Sequence, residues 1–299
     1  MPTRNISQTA SATALSSPIT LSQRISPPRS TLKEEKCELL GITTVTGEPV
    51  TRAKLASALC IAAGREDIPV IPGVEKPIFG RVRQTPYTQK NVLERLDHQS
   101  DFPNISAVEF MRRTIRENPG EVTLLAVGPL TNVALLFALD REIPSMLKSL
   151  VMMCGDFKNP TAEWNAKLDR FATATVYSSD LASAVSYGFD VTSTFSIGHD
   201  EMVERFNGGI ADTAREFATE YLSKPTRRLF FHDPLAAVGL FHPEVCTYKR
   251  GDVAVRVDMD EDSGYTDFTE NENGVHLVAD TVDIEKFYEI YFDTVTKSF

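Results

Sequence analysis

Short apolar runs that alternate with helical patterns constrain the fold of this chain most. Residues 39–45, 122–127 and 150–153 are runs of apolar and β-branched residues, and a helical pattern follows each of the first two. A continuous apolar run indicates a strand that is buried on both faces, as in parallel sheets. We therefore predict an α/β fold with a Rossmann-like, mostly parallel sheet and helices on both faces. Ligands of such sheets bind beyond the carboxyl ends of the strands.

The remaining elements follow from spacing and capping signals. Ser106 and Glu109 form a capping-box pattern that opens a helix, and Asn118-Pro119-Gly120 ends it. No chemistry is assigned to residues 74–104. The other predictions are a helix through residue 63, a short strand at 67–73, helices from 130 and near 171–177, a strand at 183–193, a helix at 199–222, strands at 253–257 and 275–278, and a closing helix near 282–296.

Composition excludes several classes of protein. The chain has 299 residues and a formal net charge of −10, which argues against nucleic-acid binding because that requires concentrated Lys and Arg. It contains no run of 18 apolar residues, so we expect no membrane partner. The four cysteines are scattered without C-x-x-C spacing, so we expect reduced thiols, no zinc site and a cytoplasmic location.

The first 32 residues differ in character from the rest. They are rich in Ser and Thr, contain three arginines and have no acidic residue. This composition is typical of an organellar transit peptide, and it is equally compatible with plain disorder. We divide the chain into a disordered or transit-like head, residues 1–35, and one domain, residues 36–299.

The densest chemical stretch is residues 229–237, where His232 and Asp233 lie between an apolar run and a helix start. A histidine beside a carboxylate at a helix N-terminus combines a proton donor with an anionic ligand. Alternatively, Asp233 before Pro234 is a good N-cap with a proline in the first turn, which makes the pair purely structural.

A second candidate stretch is residues 161–169, in the loop after the strand at 150–153. Glu163 and Asn165 provide an acceptor and a donor for one sugar hydroxyl, whereas Glu163 and Asp169 also suit the first turn of a following helix. Two other patterns are interpreted as structural. The aspartates at 258, 260 and 262 fit a solvated hairpin turn better than a calcium loop, and His199-Asp200 fits a capping or surface pair.

Four dispersed motifs together resemble the inosine/uridine-preferring nucleoside hydrolase family. They occur in the family's order and approximate spacing from about residue 37 onward. The motifs are Leu39-Leu40-Gly41-Ile42-Thr43-Thr44-Val45, Ala126-Val127-Gly128-Pro129-Leu130-Thr131-Asn132, Ala162-Glu163-Trp164-Asn165 with Asp169, and His232-Asp233-Pro234.

The resemblance implies the nucleoside hydrolase fold and cleavage of an N-ribosidic bond by water, with a Ca²⁺ ion that holds the water and the ribose hydroxyls. Asp233 and the carbonyl of Val127 match metal ligands, and Asp233 also matches a ribose ligand. His232 matches the general acid that protonates the leaving base. The implied partner is a ribonucleoside, and homodimers or homotetramers are usual in the family.

The resemblance also implies three further substrate-binding residues. Glu163 and Asn165 match the pair that grips the ribose 5′-hydroxyl, and Met153 matches a residue that packs on the ribose. Asn159 lies too near Glu163 to match the family's ribose-binding asparagine, and Glu48 occupies a position where many members have asparagine.

One departure from the family outweighs these matches. Members begin with a buried strand that ends in a D-x-D-x-x-x-D-D cluster, but here no aspartate precedes Asp67. We therefore expect the first strand to be missing or replaced, as in a truncated or misassembled N-terminus of an ordinary enzyme. Because Ca²⁺ takes about six to eight oxygen ligands, hydrolysis by this chain should be impaired. The alternative is a catalytically inactive binding or regulatory protein that keeps the fold.

Overall fold

The computed structural model describes residues 37–84, 87–258 and 263–297, and the backbone of residues 19–25. The strands are β1 Ile19–Ile25, β2 Cys37–Thr44, β3 Val70–Ile71, β4 Val122–Ala126, β5 Ser149–Met153, β6 Ala184–Tyr187, β7 Ser196–Ile197, β8 Leu229–Phe230, β9 Cys246–Val255, β10 Thr266–Glu270 and β11 His276–Val282. The α-helices are α1 Pro49–Ala62, α2 Ala107–Glu117, α3 Thr131–Leu139, α4 Ile143–Met146, α5 Trp164–Leu168, α6 Arg170–Tyr177, α7 Phe189–Thr192, α8 His199–Arg205, α9 Ala211–Tyr221, α10 His232–Phe241 and α11 Ile284–Thr296. Short 3₁₀ helices span Thr88–Glu94 and Pro243–Val245.

Within the described ranges, a nine-stranded sheet forms the centre of the fold in the order β10-β9-β11-β6-β5-β4-β1-β2-β3. Seven of these strands run in one direction, and β1 and β9 run in the opposite one. A separate antiparallel pair joins β7 and β8. The predicted α/β fold with a mostly parallel sheet and helices on both faces is confirmed.

Strand β1 lies in the middle of the sheet, between β2 and β4, and pairs antiparallel with both. Without it, the facing edges of β2 and β4 would bury unpaired backbone N–H and C=O groups, which is costly. Within the predicted disordered or transit-like head, Ile19–Ile25 forms β1, whereas the rest of residues 1–35 lies outside the described residues. A strand of opposite direction occupies this central position, consistent with the expected missing or replaced first strand.

The two sheet faces carry different helices. One face packs against α1, α9, α10 and α11, and the other packs against α2, α3 and α6. Successive side chains of a strand point to opposite faces of the sheet, so the side chains at the ends of β4 and β5 alternate between the two hydrophobic cores. The first face receives Leu125, Val127, Val151 and Met153, and the second receives Leu124, Ala126, Leu150 and Met152.

Three sequence predictions differ from the structure in detail. The helix predicted at 199–222 is broken between α8 and α9, where Gly208 and Gly209 have φ values of 95° and 56°, a region that favours glycine. The strand predicted at 183–193 ends at Tyr187, and α7 follows after Gly188. The capping box is one-sided because Ser106 Oγ accepts from the Glu109 N–H, whereas the Glu109 carboxylate binds Arg112 and Arg113.

Helix α10 approaches the sheet unusually closely at Gly239. A Cβ atom at this position would lie 2.1 Å from the Tyr187 hydroxyl oxygen and 2.6 Å from Cζ of the same ring. The Tyr187 hydroxyl in turn hydrogen-bonds the Tyr248 hydroxyl at 2.8 Å, which holds the ring in place. Only a glycine lets α10 dock on β6 at this distance.

None of the helices in the described part of the chain has the length and apolar character needed to span a membrane.

We predict that Gly239→Ala destabilises the protein by about 1–3 kcal/mol, because the added methyl group overlaps the Tyr187 ring. Helix propensity alone would favour alanine by about 1 kcal/mol, so the sign of the change reports the clash. Urea unfolding followed by circular dichroism measures it. Gly198→Ala is the matched control, since its nearest neighbouring atom is 3.7 Å from the new Cβ. A stabilised Gly239→Ala variant would contradict the proposed packing.

Candidate active site

The candidate site lies at the carboxyl ends of β4 and β5, on the face that carries α10. Val127 directly follows β4, and Met153 is the last residue of β5. Both side chains are buried in the same core as Phe231, the residue before α10. Since α10 packs on β5 and begins at His232, the sheet and the helix bring the predicted motifs together at one edge.

His232 is held between two aromatic rings and one hydroxyl group. Its ring stacks on Phe230, with centroids 5.3 Å apart, and on Phe189, with centroids 5.6 Å apart. Its Nδ1 lies 2.8 Å from Oγ1 of the buried Thr192. Desolvation by burial lowers the pKa of His232 to about 4, so the ring is neutral near pH 7.

Asp233 follows His232 in the first turn of α10 and is half-buried. Desolvation by burial raises the pKa of its carboxyl group well above the usual range, and the nearby negative charge of Glu163 raises it further. The two acidic residues predicted from separate motifs therefore lie close enough to influence each other. Asp233 does not cap α10 through its side chain, which argues against the purely structural interpretation of the pair.

Glu163 is 5% exposed and caps α5. Its Oε1 accepts from the Asn165 N–H at 2.8 Å, and its Oε2 accepts from the N–H groups of Ala166 at 3.0 Å and Gly155 at 3.2 Å. Desolvation raises the pKa of Glu163 to about 7, although these three donors favour the charged form. Glu163 therefore has the structural role that the sequence offered as an alternative, since it caps a helix. Its carboxyl group also accepts from Gly155, just after β5.

Asn165 is oriented by the end of β5. Its Nδ2 donates to the Met153 carbonyl oxygen at 2.9 Å, and the Met153 sulfur lies 3.5 Å from the same nitrogen. No protein donor binds its Oδ1 among the described residues, so this oxygen remains as an acceptor. Beside it, Trp164 is 47% exposed and donates from Nε1 to Oε1 of Gln84 at 3.3 Å.

Two buried polar residues at the start of α3 fix the surrounding loops. Asn132 Nδ2 donates to the Thr44 carbonyl at 2.8 Å, and its Oδ1 accepts from the Val74 N–H at 3.0 Å. Thr131 donates to Asp169 at 2.7 Å, and Asp169 also accepts from the N–H groups of Ile78 and Ala172. Asp169 therefore caps α6 and anchors a loop, as its structural alternative predicted.

An open pocket adjoins His232 and Asp233, between α9 and the 3₁₀ helix at Thr88–Glu94. Its wall is mostly apolar, and its polar members are His232, Asp233 and Gln89. The complete lining is Gln89, Phe217, Ala218, Tyr221, Leu229, Phe230, His232, Asp233 and Pro234. Sequence reasoning missed Gln89, Phe217 and Tyr221, because the first comes from a region with no clear periodicity, and the other two come from a predicted helix, 199–222, to which no site residue was assigned.

The oxygen donors at this edge do not fit a Ca²⁺ site. In the part of the chain that the structure describes, no three His, Cys, Asp or Glu side chains are grouped so as to hold a metal ion. Strand β1 reaches the site with its N-terminal end, since Ile19 lies opposite Thr44 and Thr20 opposite Ala126. No acidic residue occurs in the sequence before Glu34, so this strand brings no carboxylate to Asp233 and Val127.

The remaining polar patterns are structural. Asn159 donates from Nδ2 and from its backbone N–H to the Asp156 carboxylate, and Glu48 lies 3.4 Å from Lys90 at the surface. His199 and Asp200 form an exposed pair at the start of α8 with atoms 3.2 Å apart. The aspartate-rich segment joins β9 and β10 of an antiparallel hairpin, as predicted, although residues 259–262 lie outside the described ranges.

We predict that Glu163→Gln flattens the pH dependence of the unfolding free energy between pH 5 and pH 8. Because the folded-state pKa near 7 lies above the ordinary value of 4.5, protonated Glu163 stabilises the fold at low pH, and this contribution disappears as the pH rises through 7. The effect amounts to about 3 kcal/mol. Urea unfolding at each pH measures it, with Asp283→Asn, at the exposed cap of α11, as the matched control. An unchanged slope in Glu163→Gln would contradict the shift.

Comparisons with known proteins agree with this geometry. Residues 30–289 match the inosine-uridine preferring nucleoside hydrolase family. Uridine nucleosidase 1 of Arabidopsis thaliana is 32% identical over 237 residues, covering 73% of this chain and 70% of that protein. Probable uridine nucleosidase 2 of Oryza sativa subsp. japonica is 31% identical over 246 residues, with the same coverage.

A solved plant nucleoside hydrolase, PpNRh1, has the same fold. Its TM-score is 0.76 at 22% sequence identity, and the alignment covers 99% of this chain and 97% of that one. The family match extends over most of the chain and includes β2, both strand ends that border the site, and the start of α10. The chain belongs to the inosine-uridine preferring nucleoside hydrolase family, whose activity is ribonucleoside hydrolysis.

Proposed function

We propose that this chain binds ribonucleosides at the carboxyl ends of β4 and β5 and hydrolyses their N-ribosidic bond much more slowly than its relatives do. The observation that carries the proposal is the pairing of an open, mostly apolar pocket with an incomplete set of acidic residues. His232 and Asp233 line the pocket, but the strand that fills the centre of the sheet comes from a segment without acidic residues.

The ribose is proposed to lie over Met153, between Asn165 and Asp233. Asn165 Oδ1 is an acceptor for a ribose hydroxyl, because its Nδ2 is already bound to the Met153 carbonyl. Glu163 fixes the α5 turn that carries Asn165, and its own carboxyl group has lone pairs beyond the three that accept backbone N–H groups. Asp233 provides a further acceptor on the opposite side.

The base is proposed to occupy the pocket between α9 and the 3₁₀ helix. Phe217, Tyr221 and Phe230 supply aromatic surface for a planar base, and Gln89 supplies an amide that can pair with its polar edge. This places the leaving group beside His232. The two relatives named above carry the names uridine nucleosidase and probable uridine nucleosidase, which makes uridine the first substrate to test.

The slow rate follows from what is absent around the attacking water. Members of the family bind Ca²⁺, which would lower the pKa of the water and orient it. Among the residues that the structure describes, Asp233 and the Val127 carbonyl have too few acidic partners for such an ion. Loss of several kcal/mol of transition-state stabilisation corresponds to a rate about a thousandfold lower or more. A catalytically inactive nucleoside-binding protein is the limiting form of this proposal.

We expect ribose release from uridine and inosine to be at least about a thousandfold slower than by the Arabidopsis relative assayed in parallel. Addition of Ca²⁺ or of EDTA should leave this rate unchanged, because the described oxygen donors do not make a calcium site. A reducing-sugar assay measures the rate, and isothermal titration calorimetry measures nucleoside binding. Chelator-sensitive turnover at the relative's rate would refute the impairment, and absence of nucleoside binding would refute the proposed site.

Removal of an aromatic wall should weaken binding without unfolding the protein. We expect Phe230→Ala to raise the dissociation constant of uridine about tenfold, because the ring stacks on His232 and lines the pocket. Calorimetry measures the change. Leu139→Ala, at a 64% exposed position at the end of α3, is the control that should bind like the wild type. Equal affinities of Phe230→Ala and the wild type would place the base elsewhere.

A further inference from the structure

In the hydrogen bond between His232 and Thr192, the other contacts of the Thr192 hydroxyl group determine which residue is the donor. Thr192 is completely buried, and its hydroxyl group has one partner within the described ranges, Nδ1 of His232 at 2.8 Å. A buried hydroxyl proton needs an acceptor. If Nδ1 carried a proton and donated it to Thr192, the threonine proton would have no acceptor. The hydroxyl group therefore donates, and Nδ1 accepts.

The other ring nitrogen of His232 then carries the proton. In a neutral imidazole one nitrogen is a donor and the other an acceptor, so an accepting Nδ1 leaves the hydrogen on Nε2. Within the described ranges no protein group binds Nε2, and this atom is not fully buried, so it is open to the pocket that His232 lines.

Helix α7 supplies two of the contacts that fix this ring. Phe189 and Thr192 are three residues apart, which places them on the same side of the short helix. Phe189 and Phe230 both stack on the imidazole and restrict its tilt. Stacking alone does not prevent a 180° rotation of the ring about its Cβ–Cγ bond, whereas the bond to Thr192 does, because rotation would replace Nδ1 by a carbon.

We propose that Thr192 is a positioning residue that holds His232 as the Nε2–H tautomer, so that the ring donates a hydrogen bond to the departing base from the pocket wall. This inference rests on the proposed function for the identity of the ligand. When the C1′–N bond breaks, its electron pair goes to the base, and the Nε2–H group stabilises the negative charge by hydrogen bonding. The proton stays on His232, the water oxygen forms the new bond to C1′, and the proton that this water releases ends on the departing base.

The tautomer can be measured without any catalytic activity. Two-bond ¹H–¹⁵N correlation spectra of the uniformly labelled full chain at pH 7 distinguish a protonated ring nitrogen from an unprotonated one. Disappearance of signals in His232→Gln assigns the ring among the five histidines. We expect Nε2 to be protonated and Nδ1 to be unprotonated in the wild type. A protonated Nδ1 would overturn the proposal.

Variants of Thr192 test the positioning role. Thr192→Val keeps the branched shape but removes the hydroxyl group, and we expect it to mix the two tautomers and to slow ribose release from uridine about tenfold with KM within about twofold. Thr192→Ser should restore the wild-type spectrum and rate. Thr194→Val is the matched control, because the Thr194 hydroxyl binds the backbone carbonyl of Val191 instead.

The outcomes separate this inference from the proposed function. An unchanged Thr192→Val spectrum, or a changed spectrum with an unchanged rate, would overturn the positioning role. If the wild type binds no nucleoside, the proposed function fails; if it binds uridine but releases no ribose, the inactive limit of the proposed function holds, and in both cases the same spectra with bound uracil decide the role of Thr192. A free base that shifts Nε2–H in the wild type and binds about tenfold more weakly to Thr192→Val supports the role, and equal binding overturns it.

Discussion

Backbone pairing in the middle of the sheet is the constraint on which the rest of this structure depends. Strands β2 and β4 run in the same direction but do not contact each other as neighbours, because β1 lies between them and pairs with both. Strand β1 therefore sets the distance between the loop after β2 and the segment that joins β4 to α3. Asn132, in α3, also hydrogen-bonds the Thr44 carbonyl at the end of β2. The direction of β1 decides which residues reach the site.

This arrangement divides the candidate site into two sides. The side built by β5, α5 and α10 assembles Met153, Glu163, Asn165 and the His232-Asp233 pair through hydrogen bonds and stacking that do not involve β1. The side that β1 borders receives residues from a segment with no carboxylate. Burial raises the pKa values of both acidic residues on the first side, and the charge of Glu163 raises that of Asp233 further.

Sequence patterns predicted the strands and helices whose periodicity is local, and missed those that tertiary contacts decide. The apolar runs at 122–127 and 150–153 form β4 and β5, and Asp283 caps the closing helix close to its predicted start. Strand β10 was missed because its sequence, Thr-Asp-Phe-Thr-Glu, is mostly polar and its pairing with β9 is non-local.

The site shows the same division. The motif residues from Met153 to Asp233 were found because strand ends and helix starts carry recognisable signals. Thr192 was missed because α7 falls within a segment predicted as a strand, and Gln89 because a 3₁₀ turn has no distinctive period. The absence of acidic residues before Glu34 was evident from composition, but the antiparallel strand β1 follows from backbone pairing, which residue patterns do not encode.

The order of strands also has a consequence for biosynthesis. Strand β11, residues 276–282, separates β6 from β9 and pairs with both. During translation the edge of β6 therefore remains open until the ribosome has released residue 282, so the sheet cannot close progressively from the N-terminus. Long-range pairings of this kind slow folding and expose strand edges to aggregation. A nascent chain of this protein thus depends on protection of β6 until nearly all of the domain has emerged.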